Sequence, residues 1–484
     1  MSTPYEIIVG LEVHAQLKTA TKLFCGCLTD FGAPPNTQTC PVCLGHPGVL
    51  PKMNHIAFDL ALKTAVAFNC DIQRFTKWDR KHYYYPDLPK NFQISQYDMP
   101  FALNGSVPFI LDGVERAVGL IRIHLEEDAG KLIHDDRRGV SLVDLNRTGT
   151  PLMEIVSKPD IRSPGEAYEY LNAIKLTLKY LDVSDCNMQA GSLRCDANVN
   201  LRVGDAYTPI SEVKNLNSFK GVENAVAFEA DRQYREFRKT GRTKHDTPKV
   251  TMGWDADRGE TMLQRTKEEA HDYRYFPEPD IPPVHVTKEE EARIRAAVGE
   301  LPLMRRKRYM TEIGLSAYDA DVLIENRPLA DRMEEVNSVI GQPKEVANFM
   351  INDFQGQMKA HKFDMSRMPI AATTAQAMQY VLDGTISKSM LRDTVFPAMV
   401  AEGTTADQVI REKGLKQVSD TGALTTVIDQ VLDANPKVLA EVLGGKEKAL
   451  AFLVGQVMKA TRGQANAQVL NPLLRERIAK RGGA

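Results

Sequence analysis

A chain of 484 residues, 43% hydrophobic and 26% charged, exceeds what one ordinary core holds and reads as a globular protein of two or three domains. Its 61 basic and 63 acidic residues leave a net charge of -2, which excludes a general attraction to nucleic acid and leaves that role to local basic patches. No apolar run is long enough to cross a bilayer and no N-terminal basic-then-apolar leader is present, so the cytoplasm is the expected compartment and no membrane partner is expected.

The first predicted strand is YEIIVGLEVHAQ, Tyr5 to Gln16. Strand side chains alternate between faces, so Ile7, Val9, Leu11 and Val13 share one face and Glu12, His14 and Gln16 the other. A carboxylate and an imidazole thus lie side by side where water or a ligand reaches them. Four of the seven cysteines follow between Cys25 and Cys43. Cys25-Gly-Cys27 and Cys40-Pro-Val-Cys43 are two close pairs on two turns, a spacing that delivers four thiolates to one closed, structural Zn²⁺ site. Ordinary buried cysteines or a redox pair are the competing readings. His55 to Phe68 is a predicted helix with Ile56, Leu60, Lys63, Thr64 and Ala67 on one stripe. RKHYYYPDLPKNFQISQYD, Arg80 to Asp98, sets Arg80, Lys81 and Lys90 among Tyr83, Tyr84 and Tyr85. Cations beside aromatics grip phosphates and stack bases, although composition alone favours a surface loop covering a core.

Later segments repeat the first design. VGLIRIHLEEDAGK alternates Leu120, Arg122, His124, Glu126 and Asp128 against Ile121, Ile123, Leu125 and Glu127. A bulge at the strand end decides which of Glu126 and Glu127 faces the ligand side. Glu154 lies in GTPLMEIVSKPD. Ala167 to Tyr180 is a second predicted helix. SLRCDANVNLRV turns Leu193, Cys195, Ala197, Val199 and Leu201 to the core and Arg194, Asp196, Asn198, Asn200 and Arg202 outward, and Glu212 lies in SEVKNLNSF. Each acid alone reads as a solvated strand residue. Together, acids at the ends of apolar strands are costly unless a cation neutralises them. Oxygen ligands with one imidazole suit Mg²⁺ or Mn²⁺. Neither GxxxxGK[ST] nor a GxGxxG after a strand occurs, so any use of ATP dispenses with a Walker loop.

FPEPDIPPVHV, Phe276 to Val286, is a proline-rich extended linker, and the capping box Thr287-Lys-Glu-Glu290 opens a helix after it. From there the pattern is helical, with a soft second boundary near Gly403 to Gly414. The expected fold is α+β: a sheet-based domain over 1–286, a helical domain over 287–406 and a small helical tail over 407–484. Arg305 to Arg308 is a charge run of the kind that usually marks a solvated helix face. In the tail, GGKEKALAFLVGQVMKATRGQAN carries Leu450, Leu453, Val454 and Val457 as a core stripe, with Lys446, Lys448, Lys459 and Arg462 outside it. A glycine-led helix start with lysines suits an RNA phosphate as well as it suits a solvated surface.

GLEVHAQL, DRKHYYYPDLPKNFQISQYD, HLEEDAGK, DLNRTGTPLMEIVSKPD, SLRCDANVNLR, EVKNLNSF, DYRYFPEPDIPP and GQVMKATRGQAN resemble, in order, the B subunits of the heterotrimeric tRNA-dependent amidotransferases. The resemblance runs from about residue 5 to the C-terminus. It implies a cradle domain, a helical domain and a tail that reads the body of tRNA(Gln) or tRNA(Asn). It implies a ligase that uses ATP and Mg²⁺ to phosphorylate the side-chain carboxylate of a mischarged amino acid. Ammonia from an amidase A subunit then displaces phosphate, and a small C subunit ties the two together. Carried over, it marks Glu12, His14, Glu126 or Glu127, Glu154, Asp196 and Glu212 as the metal and catalytic set. Lys81, Tyr85 and Lys90 become candidates for the nucleotide or acceptor end, and the cysteine quartet matches the zinc-bearing members. A Ser-Ser-Lys amidase signature and a glutaminase cysteine are absent from the sequence. The competing readings are a non-catalytic, zinc-containing tRNA-binding scaffold and a metal-dependent nuclease.

Overall fold

A computed structural model describes residues 4–135, 137–266, 273–363, 367–415, 421–461 and 464–482. The chain divides into two compact units, residues 1–304 and 305–484.

The first unit is built on an eleven-stranded sheet. Its centre is β1 (Glu6–Gln16), and the strands that matter beside it are β4 (Val114–Glu127), β5 (Pro151–Ser157), β6 (Leu193–Val203), β7 (Ser211–Leu216), β8 (Val250–Asp255) and β9 (Glu260–Thr266). They run in the order β9-β8-β7-β6-β1-β5-β4, with two short strands, Ala102–Leu103 and Asp71–Ile72, beyond β4. Neighbours are antiparallel except β7 and β8. A parallel pair needs a crossover, here the helix Phe219–Thr240.

One face of the sheet is apolar because the alternation makes it so. Val9, Leu11, Val13 and Ala15 of β1, and Ala197, Val199 and Leu201 of β6, are wholly buried. Against this face pack α1 (His55–Ala67), α2 (Pro164–Tyr180) and α3 (Phe219–Thr240), through Ala61 and Ala65, Tyr170 and Ile174, and Val222 and Val226. α1 buries Ala57, Phe58, Ala61 and Leu62, while Ile56 stays exposed. The predicted stripe thus holds at Thr64 and Ala67, which are buried, and fails at Ile56, because an alanine-rich helix is apolar on several sides and its period is weak.

Two sequence boundaries shift. α4 (Lys288–Val298) opens with the expected Thr287/Glu290 capping box but belongs to the first unit. Its Ile294 joins the first core, and Arg293 and Glu291 pair with Asp59 and Arg74. The prolines at 277–283 end a strand without ending the domain. In the second unit, the helix Ala406–Lys413 lies beside Ala371–Leu382, where Tyr380 Oη donates to Asp407 at 3.0 Å. A separate cluster begins with α5 (Thr421–Ala434) and continues through α6 (Pro436–Leu443), α7 (Glu447–Ala460) and α8 (Ala467–Gly482). Leu424, Ile428, Leu453, Val457, Leu470 and Leu474 form its core.

Among the described residues no helix is long and apolar enough to cross a membrane.

Candidate functional site

The open face of the sheet carries two acid-rich nests, and β1 contributes to both. Glu12 and His14 are two residues apart, about 6.6 Å along a strand. Register places Glu154 of β5 opposite His14, His124 of β4 opposite Glu154, and Asp196 of β6 opposite Glu12. Glu212 of β7 faces Asn198 of β6.

In the first nest, ligand atoms of His14, Glu126 and Glu154 all lie within 4.8 Å of one another. His14 Nε2 is 3.6 Å from Glu154 and 4.0 Å from Glu126. His124 Nε2 adds contacts of 3.1 Å to Glu154 and 3.8 Å to Glu126. Burial opposes the His14 imidazolium, but the hydrogen bond and charge of Glu154 with the charge of Glu126 outweigh it, pushing the pKa up to about 9. His124 rises by the same balance of burial against Glu154 and Glu126. Burial also works against the Glu126 and Glu154 carboxylates, and the histidines overcome it and hold both below the ordinary carboxylate value. The nest therefore stores protons on its imidazoles, where a divalent cation would displace them from a ligand.

In the second nest, ligand atoms of Glu12, Asp196 and Glu212 lie within 4.8 Å of one another. Lys214 Nζ stands 2.6 Å from Asp196 and 3.1 Å from Glu212, Lys249 Nζ is 3.4 Å from Glu212, and Asn198 donates to Glu12 at 2.8 Å. Burial disfavours the Lys214 ammonium, and Asp196 and Glu212 reverse the effect and raise its pKa.

The donor chemistry of both nests fits hard divalent cations. The buried atoms His124 Nδ1, Asn198 Oδ1, Arg194 Nε and Thr251 Oγ1 have no hydrogen-bond partner among the described residues, and all sit on or beside this face. Such groups are costly to leave unpaired and point to an occupied site.

Lys81, on β2 (Asp79–His82), extends towards the first nest. Burial lowers its pKa, but Glu126 and Glu154 among its neighbours outweigh that and raise it. Its Nζ also lies 5.0 Å from the Tyr273 ring centre.

Three other expected residues are elsewhere. Glu127 points to the opposite side of β4, where it pairs with Lys90 and accepts from Ile94 N at 3.1 Å. Neither it nor Lys90 joins the nests. The deciding bulge lies in the middle of β4, between Leu120 and Arg122, not at its end. Register slips opposite Val156/Ser157, so Leu120 is buried with Ile123 and Leu125 while Ile121 is exposed. The later alternation then sends Arg122, His124 and Glu126 outward. Tyr85 is exposed.

The sequence pattern left His124, Lys214 and Lys249 out of the set. The i, i+2 spacing of Glu212 and Lys214 on one strand was the available signal.

The thiolate cluster forms as the spacing implies. Sγ atoms of Cys25, Cys27, Cys40 and Cys43 lie within 4.8 Å of one another, compatible with the roughly 3.8 Å edge of a tetrahedron with 2.3 Å Zn–S bonds. Cys40 N donates to Cys43 Sγ at 3.2 Å. The Cys25 hydrogen bond, with the Lys22 charge among lesser causes, brings the Cys43 thiol down to about 4 despite burial. Four thiolates fit a structural zinc.

In the second unit, Lys446, Lys448 and Lys459 are exposed along α7. Lys446 is 3.6 Å from Glu441. Arg462 lies outside the described residues.

One sheet face with an acid-and-imidazole nest and an all-carboxylate nest, a four-cysteine cluster and a helical second unit together describe a two-part protein whose acidic groups are spaced to hold cations. The comparisons make the class specific. The GatB/GatE catalytic domain family matches residues 7–292, and the GatB domain family matches 331–478. The B subunit of the aspartyl/glutamyl-tRNA(Asn/Gln) amidotransferase of Moorella thermoacetica is 50% identical over 479 residues, 98% of this chain and 100% of its own. Proteins of the same description from Carboxydothermus hydrogenoformans and Rhodopirellula baltica are 49% and 46% identical, each over at least 97% of both chains. The chain belongs to the GatB family, the B subunits of the tRNA-dependent amidotransferases, and is a ligase subunit of protein biosynthesis.

Proposed function

We propose that the two nests form the activating site of this amidotransferase, in the conversion of Glu-tRNA(Gln) and Asp-tRNA(Asn) to their amides. The side-chain carboxylate of the misacylated residue takes the γ-phosphoryl group of ATP. Ammonia from the A subunit then attacks the acyl carbon and expels phosphate. The supporting observation is the pairing of two cation-sized acid sets on one face, shared through β1.

The reactants are both anionic, so the site must spread negative charge. His14, Glu126 and Glu154 would hold one divalent cation, and Glu12, Asp196 and Glu212 a second. Such cations supply charge neutralisation and alignment to phosphoryl transfer. Lys81 and Lys214 bring ammonium groups to the edge of the nests, where they bind and orient anionic oxygens. His124 holds Glu154 in place by its 3.1 Å contact. Zinc in the knuckle is structural. The exposed lysines of α7 are the surface offered to tRNA, and assembly with A and C subunits in the cytoplasm completes the enzyme.

Glu12→Gln, Asp196→Asn and Glu212→Gln, each in the assembled complex, test the reading. Each is expected to lower transamidation by at least about 10²-fold, the scale of losing one transition-state charge contact, with tRNA binding intact. Near-normal transamidation by all three would leave the scaffold reading standing instead.

A further inference from the structure

Glu127, which does not join the nests, shares its surroundings with a lysine in an unusual setting. Lys22 is wholly buried. Its Nζ lies 3.6 Å from Cys43 Sγ and donates to the Gln38 carbonyl at 2.7 Å. On the far side of one small cavity stands Glu127; Lys22, Cys25, Cys43, Lys90, Glu127 and Gly149 all line it. Gly149 takes φ +82°, and a methyl group built there would meet Glu127 Oε1 at 3.5 Å and Cys43 Cβ and Lys22 Cδ at 3.6 Å. Cys43, Lys22, Glu127 and Lys90 thus alternate in charge through the interior, with Lys90 and Glu127 both nearly without solvent. Buried charges of this kind hold their geometry because displacing any one leaves another uncompensated.

Glu127 is also the last residue of β4, and beyond its ladder with β5 the end of that strand is held by a second neighbouring segment. On β3 (Phe92–Ser95) and just after it, Gln93 donates to the Glu127 carbonyl at 2.6 Å, Ile94 N to the Glu127 carboxylate at 3.1 Å and Ser95 Oγ to Glu126 at 3.3 Å. Gln96 Oε1 accepts from Leu125 N at 3.0 Å. The residue between these anchors is Glu126, a member of the first nest.

We propose that Glu127 and Lys22 are positioning residues that couple the thiolate cluster to the first nest, so that the metal held by the knuckle sets the cation affinity of His14, Glu126 and Glu154. This rests on the reading of that nest as a cation site. A Zn²⁺ with four thiolates carries net charge -2, and Lys22 offsets part of it from within the core. Through the shared cavity the same ammonium faces Glu127, whose carboxylate orients the β4 end. Loss of either residue, or of the knuckle metal, releases that end and with it Glu126.

The test uses the full chain, Mn²⁺ as the probe and electron paramagnetic resonance of free Mn²⁺ as the readout, with zinc retention followed by a chromogenic chelator. Glu127→Gln should keep its zinc yet bind Mn²⁺ about tenfold more weakly, the usual scale for a residue orienting a ligand. Lys22→Met should lose zinc about tenfold faster by the same reasoning and weaken Mn²⁺ binding. Wild-type protein stripped of zinc should weaken Mn²⁺ binding too, which keeps the proposal testable if a variant fails to fold. In the assembled enzyme Glu127→Gln should raise the Mg²⁺ requirement and recover kcat at saturating Mg²⁺. Unchanged Mn²⁺ affinity in both zinc-stripped wild type and Glu127→Gln overturns the coupling. If Glu126→Gln and Glu154→Gln also leave Mn²⁺ binding unchanged, the cation-site reading itself has failed; if they remove one of the two bound ions, only the coupling has.

Discussion

His14 shows how a single residue sets the pH behaviour of the site. Its pKa of about 9 lies above the ordinary 6.5 because Glu154 and Glu126 outweigh burial. Without metal the imidazole is protonated at neutral pH, whereas a metal ligand must be neutral. Cation binding to the first nest should therefore release a proton at pH 7, and its affinity should rise with pH until about pH 9. Mn²⁺ titration in weak buffer with an indicator dye would measure the release. A release that is absent at pH 7, or an affinity that falls between pH 7 and 9, would contradict the ligand role of His14. Glu12, Asp196 and Glu212 were legible in the sequence because strand alternation is a strict rule and each stands among apolar neighbours. Lys214 was not, since a lysine on an open strand face has many uses and its closest partner, Asp196, lies on another strand.

At the scale of the element, β4 and α3 carry the informative departures. The face of Glu126 was readable only as an alternative, because a bulge changes phase and leaves no mark in a run such as Leu120-Ile121, where both residues are apolar. β4 depends on a neighbour that pairs with it by side chains. Gln96→Leu removes the acceptor for the buried Leu125 N–H and should cost about 1–3 kcal/mol, seen as a lower urea midpoint with unchanged slope; an unshifted midpoint would deny the clamp. α3 is fixed by a buried carboxylate. Glu229, wholly buried, accepts from Arg232, Gln233 and Thr261. Burial pushes its carboxyl up, but Arg232 and its other donors hold it below the ordinary 4.5. The pair's contribution is thus complete above pH 4.5 and is lost as pH falls through the lower folded value. Glu229→Gln should flatten the acid limb of the stability profile and destabilise the protein at pH 7 by about 1–3 kcal/mol, the scale of losing a charge-assisted hydrogen bond to a buried carboxylate, with Arg232 keeping its pair with Glu236. An unchanged acid limb would show that other groups control it.

Across the whole molecule, the sequence pattern separated sheet from helix correctly, and the resemblance added the expectation that the acids serve one chemistry. The boundary near Val286 moved because proline marks a change of backbone, whereas domain membership follows apolar contact, and Ile294 packs into the first core. Both nests and the knuckle lie within residues 1–304, and the exposed tail lysines lie within 305–484. Truncation after residue 415 removes α5–α8. It should leave Mn²⁺ affinity unchanged and weaken tRNA binding by roughly tenfold or more, as expected when several phosphate contacts are lost. A filter-binding assay that finds full tRNA affinity would move the RNA surface elsewhere.

Whether one sheet face holds two cations side by side is read from anomalous scattering of crystals soaked in Mn²⁺ with a non-hydrolysable ATP analogue. Two anomalous peaks are expected, one among His14, Glu126 and Glu154 and one among Glu12, Asp196 and Glu212. Ordered nucleotide on this face with no anomalous peak in either nest would contradict this arrangement.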